Sequence, residues 1–287
     1  MAGIKRTKPR TALVVEGGGM RGIFCAGVLD VFYENLFDPF DLYIGVSAGA
    51  CNLASHLAEQ HRRNYTIYMD LMTVPEFISM KKFMHGGHFL DLDYLWDVID
   101  AKIPLAIDAI FKKRNKEFII TGTSVESGMP VYIHPTPDIC SLALKASSAI
   151  PLLYRKYIEV SGVALVDGGV ADPIPAGEAY RRGAREIVVI RSRPAEYCKT
   201  KGFENIISSF ALRKHRNLSA AIARQADTYQ RNMDFILTPP RNVSIRQIAP
   251  GQQLLTGRTT QKKMCLIADY ELGRRLGESF INGWRRS

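Results

Sequence analysis

The sequence lacks the long apolar runs that membrane-spanning proteins carry. No run among its 287 residues approaches the ~18 consecutive apolar residues that a membrane-spanning helix needs. The basic N-terminal stretch M-A-G-I-K-R-T-K-P-R is followed by only a short apolar run before Glu16, which is shorter than the apolar region of a signal peptide. We therefore expect a cytoplasmic protein that is neither secreted nor integral to a membrane.

Cysteine is scarce, and the five cysteines show no C-x-x-C spacing. Isolated cysteines in odd number argue against a disulfide framework and against a zinc site, and they fit reduced thiols in the cytosol. One metal-like pattern is H-G-G-H at residues 85–88, with Asp91 and Asp93 nearby. Because two glycines between histidines fix no ligand geometry, we expect a polar loop there, with no bound metal and no cofactor.

Acidic residues are outnumbered, since 38 Lys and Arg against 28 Asp and Glu give a formal net charge of +10. Nucleic acid and an anionic lipid surface both attract a protein with such an excess. No nucleic-acid-binding motif accompanies the charge, so we expect no nucleic-acid partner. Two interpretations stay open: peripheral contact with an anionic membrane at its inner face, and a solvated basic face without a partner. The basic clusters are Lys81-Lys82, Lys112-Lys113-Arg114, Arg181-Arg182, Arg213-Lys214-His215-Arg216 and Arg285-Arg286.

Strands and helices alternate along the first half of the sequence, which predicts an α/β fold with a mainly parallel sheet covered on both faces. The chain has no internal repeat, low-complexity tract or linker, so we expect one domain over residues 1–287. It comprises a motif-bearing core over 11–191, a helical insertion over about 65–116 and a helical C-terminal region over 202–287. The predicted strands are Thr11–Glu16, Leu42–Ile44, Glu117–Thr123, Val131–His134, Val163–Val166, Glu186–Arg191 and Val243–Ile248.

The first predicted strand runs into a glycine-rich loop. Gly17, Gly19 and Gly22 fit G-x-G-x-x-G, the pattern that holds the pyrophosphate of a dinucleotide. A dinucleotide site also requires an acidic residue at the end of the second strand, whereas Asp38 and Asp41 lie before that strand. No G-K-[ST] follows the glycines, so a P-loop is not indicated either. A nucleotide-binding protein remains the alternative interpretation of this loop.

The second predicted strand ends in Gly45-Val46-Ser47-Ala48-Gly49, which fits G-x-S-x-G. Between a strand and a helix, this pattern indicates a nucleophile elbow that exposes the serine hydroxyl. Gly45 and Gly49 are expected because side chains there would clash in so tight a turn. The alternative is that Ser47 simply caps the following helix.

A serine nucleophile needs donors for the oxyanion that forms when it attacks an ester. Neighbouring parallel strands would bring the 17–22 glycine loop to the same sheet edge as Ser47, where its backbone amides can serve as these donors. A proton acceptor is also needed. Asp167, in D-G-G directly after a predicted strand, is the candidate, although D-G-G is also a common turn. In the Ser–Asp–His order of α/β-hydrolases His215 is the one histidine after Asp167, and its cationic neighbours favour an exposed helix face instead.

Together these motifs resemble the patatin-like phospholipase family. Residues 146–151 also resemble the segment that precedes the catalytic aspartate in that family, and the likeness runs from about Thr11 to Arg191. Asp172 departs from the pattern, because relatives often have Asn there, and whether this second carboxylate disturbs the dyad stays open. The matching residues are Gly17, Gly18, Gly19, Met20, Arg21 and Gly22 for the oxyanion loop, Gly45 to Gly49 around Ser47 for the elbow, and Asp167-Gly168-Gly169 for the catalytic aspartate.

The resemblance implies a three-layer α/β/α fold and a Ser47–Asp167 dyad without histidine. It implies a carboxylic ester hydrolase that cleaves fatty-acyl esters of phospholipids or lysophospholipids through an acyl-serine intermediate. Such an enzyme needs an apolar cleft over Ser47, for which the insertion offers Phe77, Met80, Phe83, Met84, Phe89, Leu92, Leu95 and Trp96. The C-terminal residues Leu276, Phe280, Ile281 and Trp284 fit either a membrane interface or the protein core.

Overall fold

A mixed sheet of eight strands runs through the structure, a computed structural model that describes residues 10–112, 115–197 and 214–286. The strand order is β5-β6-β3-β2-β1-β7-β8, and β4 pairs with β3 beside this path. The strands are β1 Arg10–Val15, β2 Leu42–Val46, β3 Glu117–Ser124, β4 Pro130–Ile133, β5 Ile158–Val160, β6 Val163–Asp167, β7 Ala184–Ile190 and β8 Ser244–Ile248.

The centre of the sheet is parallel. Strands β3, β2, β1, β7 and β8 pair in parallel, whereas β4, β5 and β6 add antiparallel pairs at one side. The prediction of a mainly parallel sheet is confirmed. The three-residue strand Ile158–Val160 is absent from the predicted strands, because so short a segment carries little periodic signal.

Helices cover both faces of the sheet. They are α1 Gly22–Glu34, α2 Ala48–Leu57, α3 Arg63–Thr66 (continued by a π-helical turn, Ile67–Leu71), α4 Met80–Met84, α5 Leu92–Lys102, α6 Ile107–Lys112, α7 Pro137–Ser147, α8 Ala176–Arg181, α9 Arg216–Ala223, α10 Gln225–Leu237 and α11 Lys263–Trp284. In β1, Leu13 and Val15 pack toward α1, α2, α7 and α11, while Ala12 and Val14 pack toward α8 and α10, so the three-layer α/β/α fold is confirmed.

The long C-terminal helix α11 packs along α1. A Cβ atom on Gly273 would lie 2.1 Å from the carbonyl oxygen of Phe24, so glycine permits this close approach. Near the end of α11, the ring of Trp284 packs edge-on against Phe37, with centroids 5.7 Å apart, and Ile281 is 2% exposed. The apolar C-terminal residues therefore belong to the core.

The helical C-terminal region predicted over 202–287 begins with two helices in the described part of the chain. Residues 202–213 lie outside the described residues, and α9 and α10 follow, separated at Arg224. The Arg224 N–H is shared between the carbonyls of Ala220 and Ala221, a pattern that is common at the end of a helix. Within the described ranges, none of the helices combines the length and apolar character that crossing a bilayer requires.

Candidate active site

Ser47 lies in a sharp turn between β2 and α2. Its backbone has φ +53° and ψ −129°, a left-handed conformation that costs a non-glycine residue about 1–3 kcal/mol. Its two flanking glycines explain how the turn fits. A Cβ on Gly45 would lie 2.4 Å from the Cα of Ala50, and one on Gly49 would lie 2.4 Å from the carbonyl oxygen of Val15. The turn therefore has the conformation of a nucleophile elbow.

If Ser47 only capped α2, its side chain would accept a hydrogen bond from an amide in the first turn of that helix. Ser47 does occupy the N-cap position of α2, but among the described residues its side chain accepts no capping hydrogen bond. Its backbone N–H donates to the Oγ of Ser147 (2.8 Å), and that hydroxyl donates in turn to the carbonyl of Thr121 (2.6 Å). Ser147 is fully buried, so this relay fixes the elbow to β3.

The register of the sheet brings Asp167 to Ser47. Strand β4 pairs along the stretch of β3 where β2 stops and β6 begins, so β2 and β6 must share the opposite edge of β3. On that edge Val46 lies opposite Thr121, and Asp167 lies opposite the next residue, Gly122. Strand β6 is antiparallel to β3, whereas β2 is parallel to it, so the C-terminal ends of β6 and β2 meet.

Several hydrogen bonds hold the Asp167 turn. Its Oδ1 accepts the Gly169 N–H (2.7 Å), and its carbonyl accepts the Thr123 hydroxyl (2.8 Å). Its own N–H donates to the carbonyl of Ala149 (2.9 Å). The segment 146–151 therefore holds both chain turns, because Ser147 binds the Ser47 amide and Ala149 binds the Asp167 amide. The sequence indicated this segment only as a family likeness, and its role became visible with the fold.

The glycine loop packs directly against the elbow. A Cβ on Gly17 would lie 2.9 Å from the carbonyl oxygen of Val46 and 3.0 Å from the Cβ of Ser47. In the second half of the loop the backbone amides already have acceptors. The Met20 N–H donates to the carbonyl of Arg258 (3.0 Å), the Arg21 N–H to Gly18 (3.3 Å), and the Gly22 N–H to carbonyls within the 3-10 turn. The amides of Met20, Arg21 and Gly22 are therefore already hydrogen-bonded, and those of Gly17, Gly18 and Gly19 stay the predicted oxyanion donors.

A buried carboxylate supports the loop from below. Glu16 is 3% exposed and accepts hydrogen bonds from the Ser192 N–H (2.7 Å) and the Tyr229 hydroxyl (3.0 Å). Arg191, which is fully buried, donates to the same Tyr229 oxygen (3.0 Å). This network connects the start of the glycine loop to β7 and α10. It was not foreseen, because the partners lie more than 170 residues from Glu16 in the sequence.

Two chambers meet at Ser47. Gly19, Ser47 and Ile150 line both of them. The first, the apolar chamber, has about 830 Å³ of free space, which includes solvent at its mouth. Its lining includes Cys51, Tyr68, Phe77, Leu92, Leu95 and Trp96. The second, the polar chamber, has Glu16, Arg21, Asp167, Arg193, Tyr229 and Arg258 in its lining.

Four of the eight apolar residues expected over Ser47 line the apolar chamber, namely Phe77, Leu92, Leu95 and Trp96. The helix α4 accounts for part of the difference, because Met80 and Met84 are 57% and 72% exposed. Arg21, one of the residues that match the oxyanion loop, is buried, with 7% of its surface exposed.

The histidines lie elsewhere. His215 is the N-cap residue of α9, and its ring packs edge-on against Tyr157 with centroids 4.9 Å apart. Among the described residues that line either chamber, none is a histidine. In the H-G-G-H loop, the Nδ1 of His88 accepts the Arg155 N–H (3.0 Å), and the neighbouring Asp93 forms ion pairs with lysines.

Asp172, the departure from the family pattern, is held in its own network. Its carboxylate accepts the Tyr132 hydroxyl (2.6 Å) and the Asn232 amide (2.7 Å), and its N–H donates to the carbonyl of Gly168 (3.0 Å). Burial raises the pKa of the Asp172 carboxyl. Asp38 and Asp41, the acidic residues nearest to the second strand, lie at the other end of the sheet from the glycine loop. There Asp41 accepts the Thr11 N–H (2.9 Å).

Comparison with known proteins gives two family matches. A family model described as patatin-like phospholipase matches residues 13–180, and one described as "Domain of unknown function (DUF6363)" matches residues 215–287. The uncharacterized protein YjjU of Escherichia coli is 36% identical over 278 residues, which cover 95% of this chain and 77% of that protein. An uncharacterized NTE family protein of Mycobacterium bovis is 25% identical over 222 residues, which cover 75% of this chain and 58% of that protein.

Among solved structures, VipD from Legionella pneumophila aligns with a TM-score of 0.42 and 13% identity, covering 95% of this chain and 67% of that chain. Human GIVD cytosolic phospholipase A2, in complex with methyl gamma-linolenyl fluorophosphonate and terbium chloride, aligns with a TM-score of 0.43 and 12% identity, covering 94% of this chain and 58% of that chain. The family match confirms the resemblance that the motifs indicated. Since it extends over residues 13–180, more than half of the chain, the protein belongs to the patatin-like phospholipase family.

Proposed function

We propose that the protein is a serine acyl hydrolase that cleaves fatty-acyl esters of phospholipids or lysophospholipids through Ser47 and Asp167. The observation that carries this proposal is the position of Ser47 on the boundary between the apolar and the polar chamber. A lipid ester has the same division, with an acyl chain on one side of the ester carbon and a polar group on the other. In a bound lipid that followed this division, the ester carbon would therefore lie beside Ser47.

In the proposed reaction, the Ser47 Oγ attacks the ester carbon while its proton passes to the Asp167 carboxylate. The carbonyl electron pair moves onto oxygen, and the amides of the glycine loop stabilise that oxyanion. Its collapse breaks the bond to the alcohol oxygen, which takes the proton from Asp167 and leaves. Acyl-Ser47 remains.

Water completes the cycle. Asp167 accepts a proton from the water molecule as it attacks the acyl carbon, and the bond to the Ser47 Oγ breaks when that oxygen regains the proton. The fatty acid is released. Because a carboxylate is a weak base for a hydroxyl, the proposal assigns much of the rate enhancement to the oxyanion donors.

The dyad can be tested with a fluorophosphonate probe and a short-chain nitrophenyl ester. We expect the wild-type protein and His215→Ala to be labelled and to hydrolyse the ester, and Ser47→Ala and Asp167→Asn to lose both activities. An inactive His215→Ala variant would favour a Ser–Asp–His triad. Stabilisation by NAD, together with no labelling of the wild-type protein, would favour nucleotide binding by the 17–22 loop.

We also propose that the enzyme reaches its lipid at an anionic bilayer surface, through α4. This helix exposes Met80 and Met84 with Lys81 between them, and Phe77, just before it, lines the apolar chamber. Exposed apolar side chains beside a cation suit an anionic interface. In flotation with phosphatidylglycerol vesicles, we expect Met80→Ser/Met84→Ser to bind less than wild type, and Met129→Ser, which alters a comparably exposed methionine, to bind normally. Equal binding of all three, or none by wild type, would contradict this contact.

A further inference from the structure

Three arginines face the polar chamber next to Ser47: Arg21, Arg193 and Arg258. Two carboxylates share the chamber with them, and at least one oxygen of each accepts a hydrogen bond from another group. Glu16 accepts the Ser192 N–H and the Tyr229 hydroxyl, and Oδ1 of Asp167 accepts the Gly169 N–H. The chamber is therefore rich in guanidinium groups.

The pKa of Arg21 responds to the charged groups inside the polar chamber. Burial and then the nearby Arg193 lower its pKa to about 10, with a smaller lowering from Arg258, against an opposing effect of Glu16. Its Nε atom is buried and has no hydrogen-bond partner among the described residues. An anion entering the chamber would relieve this repulsion between cations and would offer acceptors to their N–H groups.

Arg193 and Arg258 are the more accessible members of the cluster. Arg193 is half-buried and stacks over the ring of Tyr197 at 4.2 Å, which holds its guanidinium plane. The carbonyl of Arg258 accepts the Met20 N–H, and its Cγ would lie 3.0 Å from a Cβ placed on Gly19. The stem of Arg258 therefore runs along the glycine loop, beside a residue that lines both chambers.

We infer that Arg193 and Arg258, with Arg21 behind them, form a subsite for the phosphate group of a phospholipid head group. This inference rests on the proposed function and specifies its substrate class. The planar guanidinium fork matches the geometry of phosphate oxygens, and two or three such groups around one phosphate are a common recognition pattern. The subsite also gives a role to the C-terminal segment, because Arg258 lies within residues 215–287, the part matched by the family of unknown function.

The test compares two lipids with the same acyl chain, 1-oleoyl-glycerol 3-phosphate and 1-oleoyl-glycerol, with the nitrophenyl ester as a substrate that carries no phosphate. For the wild-type protein we expect kcat/KM for the phosphate-bearing lipid to exceed that for the neutral lipid at least about tenfold, or ~1.4 kcal/mol. Arg193→Gln and Arg258→Gln should each reduce this ratio severalfold, mainly through KM. Arg258→Lys should retain part of it, and Arg231→Gln, which alters an exposed arginine of α10, should leave it intact. Thermal melts confirm that each variant is folded.

Inhibition of nitrophenyl ester hydrolysis distinguishes the source of the phosphate. We expect glycerol 3-phosphate to compete with the ester, and to compete less well in Arg193→Gln and Arg258→Gln. Stronger competition by inorganic phosphate, with a wild-type lipid ratio near one, would mean a site for free phosphate and would overturn the head-group subsite. A ratio near one without competition by either anion would also overturn it, while ester hydrolysis would leave the proposed function intact. A wild-type protein that hydrolyses none of the three esters would refute the proposed function, and the subsite with it.

Discussion

The two sides of Ser47 are built by different parts of the chain. Among the described residues, every lining residue from Asn52 to Ser148 belongs to the apolar chamber, and every one beyond Ile150 belongs to the polar chamber. The stretch between β2 and β3, with α7, thus forms the side that suits an acyl chain. The Asp167 turn, the segment after β7 and the C-terminal region form the side that suits a polar group.

This division separates the chemistry from the recognition. The elbow, the glycine loop and Asp167 carry the proposed chemistry, so changes there should affect every substrate equally. Changes to the other residues that line one chamber should alter the choice among substrates instead. The comparison can therefore be tested by asking whether a substitution changes overall rate or substrate preference.

The largest effect is expected from Gly49→Ala, at the boundary. The new Cβ would lie 2.4 Å from the carbonyl oxygen of Val15, so the elbow must shift. We expect hydrolysis of long-chain and short-chain esters to fall together by roughly a hundredfold or more, as small misplacements of catalytic groups do. The free energy of unfolding should fall by about 1–3 kcal/mol. Gly251→Ala is the matched control, because a Cβ there meets no atom within 4 Å among the described residues.

A smaller loss is expected from Ser147→Ala. Its hydroxyl accepts the Ser47 N–H, and without it that buried amide loses its partner, at a cost of about 1–3 kcal/mol. Since Ser147 positions the elbow and does not line either chamber, kcat should fall roughly tenfold for all substrates while KM changes little. Ser279→Ala, on the exposed face of α11, is the control. A change confined to one substrate class would contradict a purely positioning role.

The nucleophile elbow at the boundary between the chambers could be predicted from the sequence, because the residues that it requires are close together in the chain. G-x-S-x-G needs glycine at two fixed offsets from a strained serine, and both close approaches in the structure are made within one turn or with the adjacent strand. The parallel strands were visible as short β-branched, apolar runs. Motif and element positions along the core therefore agree with the structure to within a few residues.

The two sides were much less predictable, because they depend on contacts between distant parts of the chain. Ser147 reaches an amide 100 residues away, and Tyr229 reaches Glu16 across 213 residues. No short motif encodes such pairings. The direction of β6 was not predicted, since a strand of five residues gives no signal of whether its neighbour is parallel. The interpretation of the chain as one domain stays a prediction.

A change of preference is expected on the apolar side from Leu95→Trp. Leu95 is 4% exposed and lines the apolar chamber, so the larger side chain of tryptophan shortens the space for an acyl chain. We expect kcat/KM for a palmitoyl ester to fall about tenfold relative to that for a butyryl ester, in keeping with the discrimination that pocket size provides. Leu237→Trp, at an exposed position of α10, should not change this ratio. Parallel losses for both chain lengths would mean that the acyl chain does not enter this chamber.

The smallest effect is expected for the Cys51 thiol on the apolar side. Its pKa is raised, whereas the pKa of Arg21 on the polar side is lowered. Burial raises the pKa of the Cys51 thiol to about 11, so below that pH the group is almost entirely protonated and unreactive. Both Cys51 and Cys265 are half-buried, and because of the raised pKa of Cys51 we expect iodoacetamide at pH 8 to modify Cys265 first, as measured by peptide mass spectrometry. Labelling of Cys51 should then rise roughly tenfold per pH unit until the pH approaches that value, because the thiolate fraction does so. Equal labelling of both cysteines at pH 8 would show water throughout the apolar chamber, and the contrast between the two sides of Ser47 would then be one of shape alone.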